Sequence, residues 1–290
     1  MTEVSVGADA PFPTVAIVGF GFIGGSLGLA VKRRWPASRV IAVDEPPVLE
    51  AAVRMRAADA AGDTLASAAD ASLVVLAAPV RANIAVLGQL AGFVRGTAVV
   101  TDVGSTKAET IAAAGALPSR LRFIGGHPLA GGALGGIAEA RAELFEGRPW
   151  LLTPDRSTEP EALASLRRFV EGVGAEPVEL GAAEHDRMVA YLSHLPQLAV
   201  TALMHVVGES VGAPGLALAG TGLRDTTRLA SSPPGIWRDI AATNGQQVGE
   251  ALDALIDVLK GLRAQAGRPG ASFDAIFTSA ARWKQMLDER

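Results

Sequence analysis

A histidine within a glycine-dense segment is the first feature of this sequence that could do chemistry. His127 stands in "GGHPLAGGALGGI" (125–137), and the chain of 290 residues has only four histidines. A neutral imidazole accepts protons near neutral pH, so His127 is a candidate general base. Ser105, in "DVGSTK" (102–107), could bond to the same reacting oxygen or orient the imidazole. Together the two residues predict proton abstraction from an alcohol.

A second motif predicts the cofactor. "GFGFIG" (19–24) has the spacing G-x-G-x-x-G, ends a β-branched run and opens a segment with helical spacing. In such a motif the glycines allow a tight turn, the approach of a pyrophosphate and close packing of helix on strand. Asp44 follows Gly24 by 20 residues, where a carboxylate binds the adenosine ribose and repels a 2′-phosphate. We predict NAD over NADP, with contacts from Gly19, Gly21, Phe22, Ile23, Gly24, Asp44, Ala78, Pro79, Val80 and Val103.

Basic side chains elsewhere could bind an acidic substrate. "GTGLRDTTRLA" (220–230) places Arg224 and Arg228 four residues apart, which predicts both guanidinium groups on one face of a helix. Guanidinium groups bind carboxylates bidentately. The alternative is a solvated basic face, on which Asp225 could pair with Arg228. Lys107 is either a phosphate or substrate contact or a solvated lysine at the start of a helix.

These residues need a scaffold, and the sequence predicts alternating strands and helices. Short β-branched runs alternate with alanine- and leucine-rich segments of helical spacing, a pattern typical of βαβ units and a parallel sheet covered on both faces. From about residue 182 the pattern is helical, with Pro196 inside the first segment and glycine and proline punctuation between the later ones. The predicted strands are "TVAIVG" (14–19), "RVIAVD" (39–44), "SLVVLAA" (72–78), "TAVVTD" (97–102), "LRFIGG" (121–126), "RPWLLTP" (148–154) and "AEPVEL" (175–180).

The strand ends decide where the candidate residues meet. Ligands of open parallel sheets bind outside the carboxyl ends of the strands. Those ends carry the segments 19–21, 78–80, 102–105 and 126–128. We therefore expect His127 and Ser105 at the same sheet edge as the glycine motif.

Composition excludes several classes of protein. The net charge of −4 and the lack of a lysine or arginine block argue against nucleic-acid binding. The chain has no cysteine, which removes disulfides, thiolate nucleophiles and zinc–thiolate sites, and we predict no metal site. "MTEVSVGADAPFP" lacks the features of a signal peptide, and no apolar run approaches the length of a membrane span. We expect a soluble, cytoplasmic protein with no membrane partner.

Several motifs together resemble one enzyme family. Segments "GFGFIGGSLGLA", "DVGSTK", "GGHPLAG", "LFEGRPWLLTP", "EHDRMVAYLSHLPQ", "GLRDTTRLA" and "IWRDIAATN" occur here in the order and at roughly the spacing of the prephenate/arogenate dehydrogenases of tyrosine biosynthesis, the TyrA family. The resemblance extends from about residue 14 to 287 and is far more specific than the glycine motif.

The resemblance implies a role for each candidate residue. His127 is expected to be the base on the C4 hydroxyl of a cyclohexadienol, with Ser105 as its hydrogen-bonding partner. Arg228 is expected to bind a substrate carboxylate and Arg224 to supply another basic contact, while His194 and Gln197 line the substrate pocket. The implied reaction is oxidative decarboxylation, in which hydride passes to NAD⁺ and loss of CO₂ restores an aromatic ring.

The resemblance also implies an architecture. We expect a tail over residues 1–13, an NAD-binding α/β Rossmann-type domain over 14–181 and an all-α domain over 182–290, in the layout of 6-phosphogluconate dehydrogenase. The family is dimeric through its helical domain, so we expect a homodimer.

Two departures from the family pattern leave the substrate open. After "HPLAG" the family often has Thr/Ser-Glu, but this chain has Gly132 and Ala133, and Gln197 stands where tyrosine-inhibited members often carry a second histidine. An amino-substituted prephenate analogue is therefore an alternative substrate.

A β-hydroxyacid dehydrogenase shares the layout, but the helical-domain lysine motif of that class is missing. A non-catalytic NAD-binding sensor is the alternative outside the enzymes, and the presence of His127, Ser105 and Arg228 argues against it.

Overall fold

One eight-stranded sheet forms the centre of the N-terminal part of the chain. The structure, a computed structural model, describes residues 10–131 and 135–289. The strands lie in the order β3-β2-β1-β4-β5-β6-β7-β8. They are β1 (Thr14–Val18), β2 (Arg39–Val43), β3 (Ala60–Gly62), β4 (Leu73–Leu76), β5 (Ala98–Asp102), β6 (Leu121–Pro128), β7 (Pro149–Thr153) and β8 (Glu176–Glu179).

The sheet is parallel from β3 to β6 and then changes direction. Strand β1 pairs in parallel with β2 and β4, whereas β6 pairs antiparallel with β7. The predicted parallel sheet is thus confirmed, and among the described strand pairs only β6 with β7 is antiparallel. An antiparallel neighbour needs no crossover helix, and the described part of the β6–β7 connection holds only a 3₁₀ turn, Ile137–Glu139. Strand β3 is absent from the prediction because "AAG" has neither β-branched nor aromatic residues.

Helices cover both faces of the sheet. Val15 and Ile17 of β1 point into one buried apolar cluster, and Ala16 and Val18 point into the other. This alternation follows from the two-residue period of a strand. The helices of the α/β part are α1 (Phe22–Arg34), α2 (Pro46–Arg54), α3 (Val80–Leu90), α4 (Ala108–Ala114) and α5 (Pro160–Gly172).

The described elements after β8 are all helical, as predicted. They are α6 (Ala182–Val189), α7 (Leu195–Leu216), α8 (Thr221–Thr226), α9 (Pro234–Thr243), α10 (Gly245–Ala264) and α11 (Ala271–Asp288). A π-helical turn, Ala190–His194, joins α6 to α7, and Pro196 lies in the first turn of α7, where a missing N–H costs nothing. Helix α7 is kinked at Gly212, whose φ of 58° favours glycine.

Two compact units divide the chain between Gly245 and Gln246. The second unit contains α11 and nearly all of α10. Gln265, which follows α10, accepts hydrogen bonds through its side chain from the Ser272 hydroxyl and the Phe273 N–H in the first turn of α11. The division at residues 181 and 182 stays a proposal, which rests on the change from strands to helices there. Among the described residues, no helix is long and apolar enough to cross a membrane.

Candidate active site

The glycine motif forms a tight turn between β1 and α1. Gly19 has a φ of +91°, and a Cβ at this position would lie 2.4 Å from the Ala78 backbone nitrogen. A Cβ at Gly24 would lie 2.0 Å from the Gly19 carbonyl oxygen. Gly21, by contrast, faces open space, with nothing within 4 Å of a Cβ built on it. The outer glycines thus close the turn, and the middle glycine leaves room for a ligand.

The amino end of α1 offers hydrogen-bond donors beside that space. The Gly25 N–H donates to the Gly21 carbonyl, and no side chain caps the helix. The N–H groups of Phe22, Ile23 and Gly24 precede this first intrahelical bond and suit an anionic ligand.

Asp44 lies at the end of β2, as predicted. Its carboxylate accepts hydrogen bonds from the N–H groups of Phe20 and Glu45, which fixes it beside the glycine turn. The groove at this sheet edge is lined by Val18, Gly19, Gly21, Val43, Asp44, Glu45, Pro46, Asp63, Leu65, Ala77, Ala78 and Pro79. The carboxylates in this lining favour the hydroxyls of a ribose over a phosphate. The groove therefore fits the adenosine half of a dinucleotide that has no 2′-phosphate.

The remaining predicted cofactor residues occupy two neighbouring strand ends. The buried Asn83 bonds to the Ala78 N–H and the Leu76 carbonyl, which holds the turn that leads into α3 at Val80. The Val103 N–H donates to the Leu76 carbonyl at 3.0 Å. These bonds bring Ala78, Val80 and Val103 to one sheet edge.

His127 is the next-to-last residue of β6 and lies at the carboxyl edge of the sheet. Its ring is partly exposed, and its Nδ1 lies 2.9 Å from Nε2 of His185 in α6. Burial lowers the pKa of His127 well below its ordinary 6.5, and the charges of His185, Lys107 and His194 act in the same direction. The imidazole is therefore neutral at physiological pH and able to accept a proton.

Beyond His185 the hydrogen bonds continue to a carboxylate. His185 Nδ1 lies 2.8 Å from Asp186 Oδ1. The two Asp186 oxygens also accept the N–H groups of Lys107 at 2.7 Å and Ala108 at 2.8 Å. Burial alone would raise the pKa of Asp186, but the hydrogen bonds from His185, Ala108 and Lys107 lower it overall. Asp186 is thus a charged carboxylate that caps α4 from a neighbouring helix.

Lys107 is neither of the two kinds of residue that were predicted. Its side chain is fully buried, forms an ion pair with Asp102 and donates to the Gly126 carbonyl at 2.8 Å. Burial lowers the pKa of Lys107, against the opposing charges of Asp102 and Asp186. Lys107 is neither solvated nor free to reach a substrate; it joins the ends of β5 and β6 immediately before His127.

Ser105 differs from expectation in its contacts. It lies at the predicted sheet edge and is partly exposed, but it forms no hydrogen bond to His127 among the described residues, where His185 takes that place.

His194 is buried at the end of the π-helical turn. Its Nδ1 lies 3.5 Å from Nδ2 of Asn244, which donates to the Asp186 carbonyl at 2.8 Å. Burial lowers the pKa of His194 to about 4. His194 is therefore a second neutral imidazole in the cluster around Asp186.

Gln197 was predicted to line the substrate pocket, but its side chain is bound to other residues of the chain. It is buried, with Nε2 donating to the Leu229 carbonyl at 2.8 Å and Oε1 accepting from the Ser232 hydroxyl at 3.1 Å. Gln197 thus holds the segment that carries Arg228.

The prediction that Arg224 and Arg228 share one helix is wrong. Helix α8 ends at Thr226, and Arg228 begins a separate 3₁₀ turn, Arg228–Ser231. At Thr227, between them, the backbone leaves the helical conformation, with φ −98° and ψ 13°. Both guanidinium groups are exposed, and in the described part of the chain neither forms an ion pair, with Asp225 or otherwise.

Sequence reasoning missed the residues that bring these elements together. His185 and Asp186 stand in the quoted segment "EHDRMVAYLSHLPQ", yet neither was singled out. The rarity of histidine was the available signal, since three of the four lie in or beside this cluster. Gly132 and Ala133 lie outside the described residues.

Family models match most of the chain. Residues 27–179 match "Prephenate dehydrogenase, nucleotide-binding domain", and residues 181–267 match "Prephenate dehydrogenase, dimerization domain". These two matches follow one another in the order of the α/β part and the helical part.

Individual relatives agree with the family models. A prephenate dehydrogenase of Bacillus subtilis (strain 168) is 35% identical over 256 residues, which cover 86% of this chain and 69% of that protein. The crystal structure of prephenate dehydrogenase from A. aeolicus in complex with hydroxyphenyl propionate and NAD⁺ is 28% identical, with a TM-score of 0.88 over 94% of this chain and 98% of the other. Synechocystis arogenate dehydrogenase is 30% identical, with a TM-score of 0.81 over 94% and 99% of the two chains. This chain belongs to the prephenate dehydrogenase family.

Proposed function

We propose that the protein catalyses the NAD-dependent oxidative decarboxylation of prephenate to 4-hydroxyphenylpyruvate, of arogenate to tyrosine, or of both. The observation that carries the proposal is a neutral, partly exposed His127 at the sheet edge that also holds the dinucleotide-type groove. The similar A. aeolicus enzyme, whose structure holds NAD⁺ and hydroxyphenyl propionate, supports the same pair of ligands here.

In the proposed reaction His127 takes the proton of the ring hydroxyl. The NAD⁺ that the glycine turn and Asp44 would hold would supply the acceptor for the hydride of the carbon that bears this hydroxyl. Cleavage of the bond to the ring carboxylate then releases CO₂ and leaves its electron pair in the ring, which becomes aromatic. Aromatisation drives this last step, so the protein mainly has to orient the substrate and stabilise charge.

The remaining polar residues are assigned to substrate binding. Arg228 is exposed and unpaired in the described structure, as a group that binds a substrate carboxylate should be. Arg224 is assigned as a second basic contact, Ser105 as a hydrogen-bonding partner of the reacting hydroxyl and His194 as a neutral wall of the pocket.

The carboxylates of the groove support NAD over NADP. Asp44→Asn removes one negative charge and retains one acceptor oxygen, which can serve only one of the two neighbouring N–H groups. We expect the KM for NAD⁺ to rise about tenfold, because a hydrogen bond to a charged group contributes roughly 1.5–3 kcal/mol, and the preference over NADP⁺ to shrink. Steady-state kinetics with both cofactors measure this, with the exposed Asp70→Asn as a control. Unchanged kinetics in Asp44→Asn would place the ribose elsewhere.

We also propose a homodimer formed through the helical part of the chain. The match to a dimerization domain supports it, as do exposed large apolar side chains in α10 and α11, among them Ile256, Leu259, Phe277, Trp283 and Leu287. Such residues exposed in numbers indicate an interaction surface. Light scattering should give twice the chain mass of 29.7 kDa, and a monomer at micromolar concentration would overturn this part of the proposal.

The test of function is NADH formation with prephenate and arogenate offered separately. His127→Asn should lower kcat by about 100- to 10,000-fold, the usual contribution of a general base. His205→Asn, at an exposed position of α7, is the matched control and should retain full activity. Full activity in His127→Asn would show that another group is the base, and NAD⁺ binding without turnover of either acid would favour the sensor or the amino-substituted analogue.

A further inference from the structure

The protonation of the His127–His185–Asp186 chain can be read from its hydrogen bonds. A charged carboxylate only accepts hydrogen bonds, and Asp186 already accepts two backbone N–H groups. His185 Nδ1, 2.8 Å from Asp186 Oδ1, must therefore carry a proton. In a neutral His185 ring the other nitrogen, Nε2, is then an acceptor.

That acceptor determines the tautomer of His127. His127 Nδ1 lies 2.9 Å from His185 Nε2, and a hydrogen bond between two neutral rings requires one donor and one acceptor. His127 must donate from Nδ1, which leaves its Nε2 without a proton. The opposite tautomer would require a doubly protonated, cationic His185 inside a fully buried position.

The surroundings fix His185 in this position. Asp186 caps α4 through Lys107 and Ala108, and Asn244 donates to the Asp186 backbone carbonyl. Helix α6 is thus tied on two sides next to His185. The ionisable groups that act on His127 are His185 on α6, Lys107 before α4 and His194 in the π-helical turn, and Asp186 lies behind His185.

We propose that His185 and Asp186 are positioning residues that hold His127 in the tautomer with Nδ1 protonated, so that Nε2 is the proton-accepting atom. The inference rests on the proposed function in taking His127 as the base. It goes further in assigning the reacting nitrogen and the two side chains that select it. When Nε2 takes the substrate proton, the Asp186 charge stabilises the resulting imidazolium through His185.

Nitrogen NMR tests the tautomer without any turnover. With ¹⁵N-labelled histidine at pH 8, the four histidines are assigned by single substitutions, with His127→Asn identifying the signals of His127. The expected result is a protonated Nδ1 and an unprotonated Nε2 for His127. A protonated Nε2 in the wild-type protein would overturn the inference, whether or not the protein turns over prephenate or arogenate.

Variants at His185 test the consequence for catalysis. His185→Leu removes the acceptor, and we expect a ten- to hundredfold lower kcat, typical of lost supporting hydrogen bonds, with KM within about twofold and with loss of the Nδ1–H tautomer. His185→Gln supplies an amide oxygen as acceptor and should recover most of the lost kcat. Equal kcat in His185→Leu and wild type would overturn the inference, and so would equal losses in both variants with the tautomer unchanged.

Two controls separate this outcome from other failures. His205→Leu, at an exposed position of the same helical region, should leave kcat and the His127 signals unchanged. A wild-type protein with the expected tautomer but no turnover would count against the proposed function alone. A normal turnover with the opposite tautomer would count against this inference alone.

Discussion

At the scale of single residues, burial and neighbouring charges together decide what each ionisable group near His127 does. The partly exposed His127 and the buried His194 both have a lowered pKa, so neither is charged at neutral pH. Lys107 is also buried but keeps an anionic partner in Asp102. His127 thus supplies a proton acceptor, while Lys107 joins the ends of two strands.

The pH dependence of activity follows from the lowered pKa of His127. A general base acts in its unprotonated form, and the pKa of His127 lies well below 6.5. We expect kcat/KM to stay level above about pH 6.5 and to fall only at lower pH. A pH–rate profile with either substrate measures this. An acid limb with its midpoint at or above pH 6.5 would contradict the assignment of His127 in this environment.

Replacing Lys107 should destabilise the fold. Lys107→Met keeps the length of the side chain but leaves Asp102 as an unpaired buried charge, which costs about 3–5 kcal/mol. Denaturant unfolding measures the loss. Lys260→Met is the control, because its ion pair with Asp257 is highly exposed and contributes little. Equal stability of Lys107→Met and wild type would mean that the buried pair does not hold the strand ends together.

At the scale of elements, short runs rich in apolar residues predicted seven of the eight strands, and the weakest of these runs is the polar β8, "EPVE". The direction of β7 and the short β3 could not be predicted, since they depend on pairing with neighbours and not on local sequence. The same limit applies to the end of α8. Four-residue spacing of arginines indicates a shared helix face only where the helix continues, and here it ends at Thr226.

Gln197 should act on substrate binding through the turn that carries Arg228. Gln197→Met retains the volume but removes the hydrogen bonds to Leu229 and Ser232. We expect the KM for the acidic substrate to rise about tenfold, the effect of roughly one or two lost hydrogen bonds, with the KM for NAD⁺ unchanged. Gln89→Met, on the exposed side of α3, is the control. A changed KM for NAD⁺ with an unchanged KM for the substrate would contradict this role.

At the scale of the whole molecule, the fold class and the sheet edge that holds the site were predictable from the sequence. The fold class follows from the alternation of strands and helices, and the edge follows from the carboxyl ends of the strands. The contacts of His185 and Asp186 were not predictable, because they join α6 to α4 and β6 across 58 to 79 positions of the chain. Only the folded structure shows such pairings.

The free energy of unfolding should decrease as the pH is lowered through the range in which the buried histidines of the unfolded chain take up protons. The pKa of His194 is about 4 in the folded chain and 6.5 ordinarily, so the unfolded chain binds more protons between these values. The free energy of unfolding therefore decreases as pH falls from 6.5 to about 4, by up to about 1.4 kcal/mol per pH unit for each such histidine. His194→Asn should have a shallower slope than wild type in denaturant unfolding. Parallel curves for the two proteins would contradict the lowered pKa.

The central claim is that one active site oxidises and decarboxylates the same substrate molecule. The most direct measurement counts both products, NADH by absorbance and labelled CO₂ released from substrate labelled at the ring carboxylate, for wild type and His127→Asn. We expect equal amounts of NADH and CO₂ with wild type and the loss of both together in the variant. NADH without CO₂, or both products at the wild-type rate in His127→Asn, would contradict it.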